Sequence, residues 1–327
     1  MKGKNMSRKI VVVNHAFTEK MRTTISDTAK QYGMETHFYE KNADALGDMV
    51  DAEVAFGKGA DLMKAGKKLR WFCSQSAGVD AYMKPGVIQN EDMLLTNSSG
   101  AYGMALAEHT MMLTLALLRH LPEYYHMAET HQWAKELIPM QGIVGSRVTI
   151  LGTGDLGTEI AKRFRAFAPS TIVGINRSGR DRKPDFDRTV SQDKTNDILP
   201  ETDILIMALP GTDETKHFIS DERIALLPKH AVIINVGRGN ALDSEALMNA
   251  LKKDQIFGAA LDVFEKEPLE ENNPMWTCPH LLITPHVAGN MTLPYTVQKT
   301  CDQFVEDLKN YAEGKTLQHL VSRAKGY

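Results

Sequence analysis

Ser146-Arg-Val-Thr-Ile-Leu-Gly-Thr-Gly-Asp-Leu-Gly-Thr158, continued by Glu159-Ile-Ala-Lys-Arg-Phe-Arg-Ala-Phe167, decides the fold. An apolar β-rich run enters a glycine turn and leaves it as a helix. Gly152, Gly154 and Gly157 form GxGxxG. The first glycine permits the tight turn, the second lets a pyrophosphate approach the backbone, and the third lets helix and strand pack closely. Leu156 lies in this turn, where free N–H groups and the positive end of the following helix face the phosphates. This is a dinucleotide cradle. Asp155 is the odd residue in it. Its carboxylate either repels pyrophosphate mildly or turns away to cap the helix.

The next strand ends Ile172-Val-Gly-Ile-Asn-Arg-Ser178, and Asn176 stands 19 positions after Gly157. An acid that binds the adenosine ribose usually occupies that place. Here Asn176, Arg177 and Ser178 offer an amide, a cation and a hydroxyl, with Arg180 and Arg182 nearby. A 2′-phosphate is welcome in such company, so NADPH is expected over NADH, with NAD still possible. A solvated basic loop is the plain alternative.

Outward from the cradle, short apolar runs alternate with helical patterns. The first series of expected strands is Lys9–Asn14, Thr36–Tyr39, Val54–Phe56, Leu69–Ser74 and Met93–Thr96. The second is Arg147–Leu151, Thr171–Ile175, Ile204–Ala208, Val232–Asn235, Gly258–Leu261 and Leu281–Thr284. Buried parallel strands read this way, and two series imply two doubly wound parallel-sheet α/β domains. A long apolar helix is expected from about Gly103 to Leu121, ended by Pro122. A tail helix is expected over Pro294–Glu313, capped by Gly314. It needs a core, and the sequence does not say which.

The chain has 327 residues, with Lys+Arg 38 against Asp+Glu 41. That length favours two domains, and that balance argues against a nucleic-acid or polybasic membrane partner. No apolar run is long enough to span a membrane. Cys73, Cys278 and Cys301 are few, odd in number and far apart, which suits a reducing cytoplasm. The basic start, Met1–Lys9, precedes too short an apolar run for a signal peptide and reads as a disordered leader.

Three further stretches carry chemistry: Asn235-Val-Gly-Arg-Gly239, Leu261-Asp-Val-Phe-Glu-Lys-Glu-Pro268 and Thr284-Pro-His-Val-Ala-Gly289. A cation, a carboxylate and an imidazole downstream of a dinucleotide cradle are the parts needed to reduce a 2-keto acid. Arg can hold the anionic substrate, His can deliver a proton, and Glu can tune the His. Together with the glycine turn and Leu209-Pro-Gly-Thr-Asp-Glu-Thr215, these motifs resemble those of the D-isomer-specific 2-hydroxyacid dehydrogenases over nearly the whole chain.

The resemblance implies a Rossmann cofactor domain, residues 101–289, inserted into a flavodoxin-like substrate domain, residues 1–100 and 290–327. It implies that Arg238 contacts the carboxylate and keto oxygen, that His286 is the acid/base, and that Glu267 pairs with His286. Glu265 is the rival for that pairing. Further cofactor contacts are implied from Leu209, Pro210 and Thr215, from Val236 and Gly237, from Asp262 on the nicotinamide side, and from Ala288 and Gly289. The turn Ser74-Gln-Ser-Ala-Gly-Val-Asp80 resembles the family's glycine loop, where N–H groups of Ala77, Gly78 and Val79 bind a carboxylate. Tyr102 and Met104, in wording that departs from the family's, are placed to face the substrate, and Trp133 reads as packing. No metal is expected, and a homodimer is.

The implied activity is reduction of a 2-keto acid to the (R)-2-hydroxy acid. Glyoxylate, hydroxypyruvate, 2-ketopantoate, branched 2-keto acids and phenylpyruvate all stay open as substrates. Two rival classes remain: a non-catalytic nucleotide-sensing scaffold or co-repressor, and another Rossmann enzyme such as an amino-acid dehydrogenase. A scaffold has no need of Arg238, Glu267 and His286 together, and the contexts of those three residues disfavour the other enzymes.

Overall fold

A computed structural model describes residues 8–133 and 139–323. The first seven residues of the expected leader lie outside the described residues. Arg8, read as part of that leader, instead opens the strand that was expected from Lys9 onward. Arg8 forms a bidentate pair with Glu53, its Nη2 2.7 Å from Oε1, and Lys9 Nζ is 2.7 Å from Asp51 Oδ1.

The chain divides into two compact units, Met1–Tyr102 with Asn290–Tyr327, and Gly103–Gly289. The first unit begins with strands β1 (Arg8–Val13), β2 (Met34–Tyr39), β3 (Val54–Gly57), β4 (Trp71–Ser74) and β5 (Leu94–Thr96). Helices α1 (Glu19–Gln31), α2 (Asn42–Met49) and α3 (Ala60–Ala65) lie between them. All neighbouring strands pair in parallel, in the order β2-β1-β3-β4-β5. That is the flavodoxin-like order.

The second unit begins with α4 (Gly103–Leu118) and α5 (Leu121–Glu129). Then come β6 (Arg147–Leu151), α6 (Asp155–Arg165), β7 (Thr171–Asn176), β8 (Arg188–Ser191), α7 (Thr195–Ile198) and β9 (Ile204–Met207). The unit closes with α8 (Asp221–Ile224), β10 (Val232–Asn235), α9 (Ser244–Lys252), β11 (Gly258–Leu261) and β12 (Leu281–Ile283). Its seven strands are again all parallel, ordered β12-β11-β10-β9-β6-β7-β8. The chain starts at β6 in the middle, winds outward to β8, then returns to β9 on the other side of β6. The strand order therefore reverses between β6 and β9, where the carboxyl ends of open α/β sheets leave a ligand crevice. Two apolar clusters cover the two faces, one including Ile150, Ile160 and Phe164, the other Leu205, Ile233 and Leu247. Fully burying Phe164 alone contributes roughly 2–3 kcal/mol.

The last helix, α10 (Pro294–Ala312), returns to the first unit. Val297, Cys301, Phe304 and Leu308 join Ile10, Val12, Phe56 and Trp71 in one core. Gly314, at φ +66°, ends the helix in the left-handed conformation that glycine adopts without cost.

Two expectations need correction. Pro122 does not end the long helix. That helix stops at Leu118, His120 takes a left-handed conformation (φ 55°), and Pro122 sits in the first turn of α5. Proline fits there because the first helical N–H groups have no partner to lose. Strand β8 was not expected. It is a polar edge strand, Arg188-Thr-Val-Ser191, with one mostly exposed and three half-exposed residues, so it lacks the apolar run that marks its neighbours.

Candidate active site

The cradle is built as its glycines require. Gly152 takes φ +95°, and a Cβ there would lie 2.5 Å from Ala208 O. A Cβ at Gly157 would collide with Gly152 O. Both glycines are thus demanded by the protein's own backbone. Gly154 is different: it has ordinary extended dihedrals, and a Cβ built on it meets nothing within 4 Å. Folding gives no reason for a glycine there, whereas a pyrophosphate approaching the backbone does. The cradle therefore fits a dinucleotide on the protein's own geometry. Asp155 opens α6, and its Oδ2 would lie 2.5 Å from a Cβ on Gly103, at the first residue of α4. Its carboxylate lies at the positive end of that other helix.

At the end of β7 the Asn176 amide is already engaged. Its Nδ2 donates to Thr153 Oγ1 and to Arg180 O, each at 3.0 Å, and its Oδ1 accepts from the N–H groups of Ser178 and Arg180. Asn176 shapes this loop and ties it to the glycine turn. Arg177 projects from the same loop and pairs with Glu214, 2.6 Å apart. Glu214 belongs to the turn after β9. That turn is held by Thr215, whose hydroxyl donates to Pro210 O at 2.7 Å. A Cβ at Gly237 would lie 2.7 Å from Leu209 O, so the turns after β9 and β10 touch backbone to backbone.

Strands β10, β11 and β12 are parallel neighbours, so their carboxyl ends deliver Arg238, the Asp262–Glu267 segment and His286 to one edge of the sheet. The turn after β10 is fixed by Asn235, whose amide donates to Arg238 O (3.0 Å) and accepts from Gly237 N (3.1 Å). A Cβ at Gly239 would collide with the Phe264 backbone, which brings the arginine turn directly onto the Glu267 loop. Arg238 is half-buried, with Nη1 donating to Gly237 O at 2.8 Å.

Glu267 Oε2 lies 2.6 Å from His286 Nδ1, and Glu267 Oε1 accepts from Phe264 N at 2.9 Å. The carboxylate can only accept from Nδ1, so Nε2 is left as the outward nitrogen of a half-exposed ring. The rival Glu265 is occupied elsewhere: Oε2 lies 2.9 Å from His217 Nε2, and Oε1 accepts from Ser244 N. Asp262 lies beneath the His286 loop, 1 % exposed. It accepts from Thr284 Oγ1 (2.6 Å), Val287 N (3.0 Å) and Ala288 N (3.1 Å). His109 of α4 adds Nε2 at 3.0 Å from Thr284 Oγ1. Sequence reading missed His109 and His217. Each meets its partner across a long stretch of chain, and no local motif marks either.

In the first unit, four successive carbonyls of the turn after β4 are taken by one later segment. Ser74 O accepts from Ser98 Oγ (2.9 Å), Gln75 O from Tyr102 Oη (2.5 Å), Ser76 O from Ser98 N (3.2 Å) and Ala77 O from Asn97 Nδ2 (2.7 Å). Among the described residues, the N–H groups of Ala77, Gly78 and Val79 have no hydrogen-bond acceptor. Tyr102, expected to face substrate, is 7 % exposed and its hydroxyl is spent on Gln75. Burial pushes its pKa up, which keeps it a neutral donor. Trp133, expected to pack, is 90 % exposed.

Residues 111–288 match the family model for the D-isomer specific 2-hydroxyacid dehydrogenase, NAD binding domain. The chain is 31 % identical to the glyoxylate reductase of Aeropyrum pernix over 292 residues, covering 86 % of this chain and 84 % of that protein. A D-isomer specific 2-hydroxyacid dehydrogenase family protein from Aeromonas salmonicida superposes with a TM-score of 0.83 at 29 % identity, covering 97 % of this chain and 99 % of that one. The NADPH-dependent glyoxylate/hydroxypyruvate reductase of Sinorhizobium meliloti, solved with NADP and sulfate, gives 0.81 at 25 % identity, covering 98 % and 100 %. With its cradle, its parallel sheets and these relatives, the chain belongs to the D-isomer specific 2-hydroxyacid dehydrogenase family and is an NAD(P)-dependent 2-hydroxyacid dehydrogenase.

Proposed function

We propose that the protein reduces a small 2-keto acid to the (R)-2-hydroxy acid, with NADPH preferred over NADH. The observation that carries this reading is the His286–Glu267 pair, 2.6 Å apart, which leaves Nε2 as the nitrogen that exchanges a proton with the substrate oxygen. Bound reduced nicotinamide supplies the hydride to the carbonyl carbon. His286 neutralises the oxygen as negative charge develops on it, an effect typically worth about 10²–10⁴-fold. Arg238 holds the carboxylate and polarises the keto oxygen. Glu267 keeps Nδ1 protonated and the ring in one orientation. The N–H groups of Ala77, Gly78 and Val79 bind carboxylate oxygens, and Tyr102 acts by holding that turn through Gln75 and not by touching substrate.

The cofactor is held by Gly152, Gly154, Asp155, Leu156 and Gly157, by Leu209, Pro210 and Thr215, by Val236 and Gly237, and by Ala288 and Gly289. NADPH preference rests on the missing acid at the end of β7 and on Arg177 and Ser178 standing there instead. Arg177 exchanges Glu214 for the 2′-phosphate. A homodimer in the cytoplasm completes the reading. The support for the dimer is that Met112, Leu121, Tyr125, Trp133, Met140 and Val144 are exposed apolar side chains.

The test is NADPH absorbance against a panel of 2-keto acids, with NADH in parallel. At least one acid turns over, and catalytic efficiency with NADPH exceeds that with NADH by at least about tenfold, about 1.4 kcal/mol. Folded, cofactor-bound protein that turns over no acid sinks the reading. Arg238→Ala keeps cofactor binding and loses turnover. Light scattering reports the dimer.

A further inference from the structure

His286 stands at φ +52°, a left-handed conformation that non-glycine residues rarely take. Something must hold the backbone there, because such a conformation costs free energy that its surroundings have to offset. The holder is visible. The N–H groups of the next two residues, Val287 and Ala288, both donate to the buried Asp262 carboxylate, and the Thr284 hydroxyl donates to it from the other side of His286. The protein's own carboxylate fills an anion nest made by the loop that carries the imidazole.

The hydroxyl fixes the next link. Thr284 has one proton, and a carboxylate 2.6 Å away can only accept it. Towards His109 Nε2, 3.0 Å away, the hydroxyl therefore accepts, and His109 Nε2 carries a hydrogen. The same nitrogen lies 3.5 Å from Asp262 Oδ1. Burial lowers the His109 pKa against the pull of Asp262, which favours a neutral ring donating from Nε2. Helix α4 thus reaches the loop through one imidazole N–H.

We propose that His109 is a positioning residue for the acid/base: through Thr284 and Asp262 it fixes the left-handed backbone on which His286 is mounted. This rests on the reading of His286 as the proton donor. It extends that reading to a residue on another element, 177 positions earlier in the chain.

The test uses His109→Leu, His109→Gln and Thr284→Val in the full chain. One readout needs neither substrate nor cofactor: amide hydrogen exchange at Val287 and Ala288. Exchange there is expected to accelerate about tenfold in His109→Leu and Thr284→Val, the size of losing one buried hydrogen bond. Gln carries an N–H near the place of imidazole Nε2, so His109→Gln stays within about threefold of the parent. The second readout is kinetic. In His109→Leu, kcat falls about tenfold while NADPH affinity holds within about threefold, and His109→Gln recovers most of kcat. Unchanged exchange in Thr284→Val overturns the proposal. So does equal impairment of the Leu and Gln variants, which would mean that ring volume alone matters. His286→Ala separates the two readings. If it retains full turnover, the acid/base assignment fails, while the exchange experiment still decides whether His109 braces the loop.

Discussion

Glu265 and Glu267 sit two residues apart on one loop, each paired with an imidazole from elsewhere in the chain, and the difference between the two pairs defines the site. His217–Glu265 and His286–Glu267 are both short, 2.9 and 2.6 Å, and both histidines have left-handed backbones. Each glutamate gives its second oxygen to a backbone N–H, Ser244 for Glu265 and Phe264 for Glu267. The contrast lies in the other ring nitrogen. His217 has acids on both sides, with Nδ1 3.8 Å from Asp243 Oδ2. Among the described residues, His286 meets an acid at Nδ1 only. A ring bracketed by carboxylates staples a loop, whereas a ring held at one nitrogen keeps the other for chemistry.

The largest expected effect separates the two histidines. His286→Ala lowers kcat by about 10²–10⁴-fold with cofactor binding intact, whereas His217→Ala leaves kcat within about threefold and lowers Tm. Steady-state kinetics beside thermal melts decide this, and similar kcat losses for both would erase the distinction. Next come the carboxylates. Glu267→Gln lowers kcat at least about tenfold, because the amide cannot stabilise the imidazolium, and Glu265→Gln has little effect on turnover.

The smallest effect is on stability against pH. Burial pulls the Glu265 carboxyl upward, but hydrogen bonds from His217 and Ser244 hold it below the usual glutamate range. A depressed folded pKa stabilises above the unfolded value, about 4.3, and that contribution is lost as pH falls through the folded value. For a pair little more than one-third exposed, discounted for solvent screening, it is worth about 0.2–1 kcal/mol. Melts of Glu265→Gln should therefore fall below the parent at neutral pH and meet it in acid. A gap that persists in acid would assign the staple to packing and not to charge.

Much of this contrast was open to reading in the sequence, and the part that was not has a physical cause. The central parallel strands announced themselves because both faces are buried, and the edge strand β8 did not because its polar residues carry no apolar run. Gly152, Gly154 and Gly157 were legible because backbone geometry and phosphate approach demand them at fixed spacing. Glu267 could be preferred over Glu265 only by its place before Pro268. Nothing in the one-dimensional pattern shows which carboxylate reaches which ring. Asn176 reads as a nucleotide ligand from its place at the end of β7, and that its amide also organises its own loop could not be read there. Tyr102 looked like a cleft residue, whereas its hydroxyl closes a turn. Polar side chains are ambiguous in this way because their partners lie far off along the chain.

The return of α10 to the first unit sets an order of assembly during translation. Residues 103–289 form a contiguous unit with their seven strands complete once β12 leaves the ribosome. The five-stranded sheet is synthesised earlier, yet Phe304, Cys301 and Leu308 must still emerge to cover Phe56 and Trp71. The segment made first thus finishes its core last, and until then part of that apolar sheet face, beside the part that α1 covers, stays open in the nascent chain, the kind of surface chaperones bind.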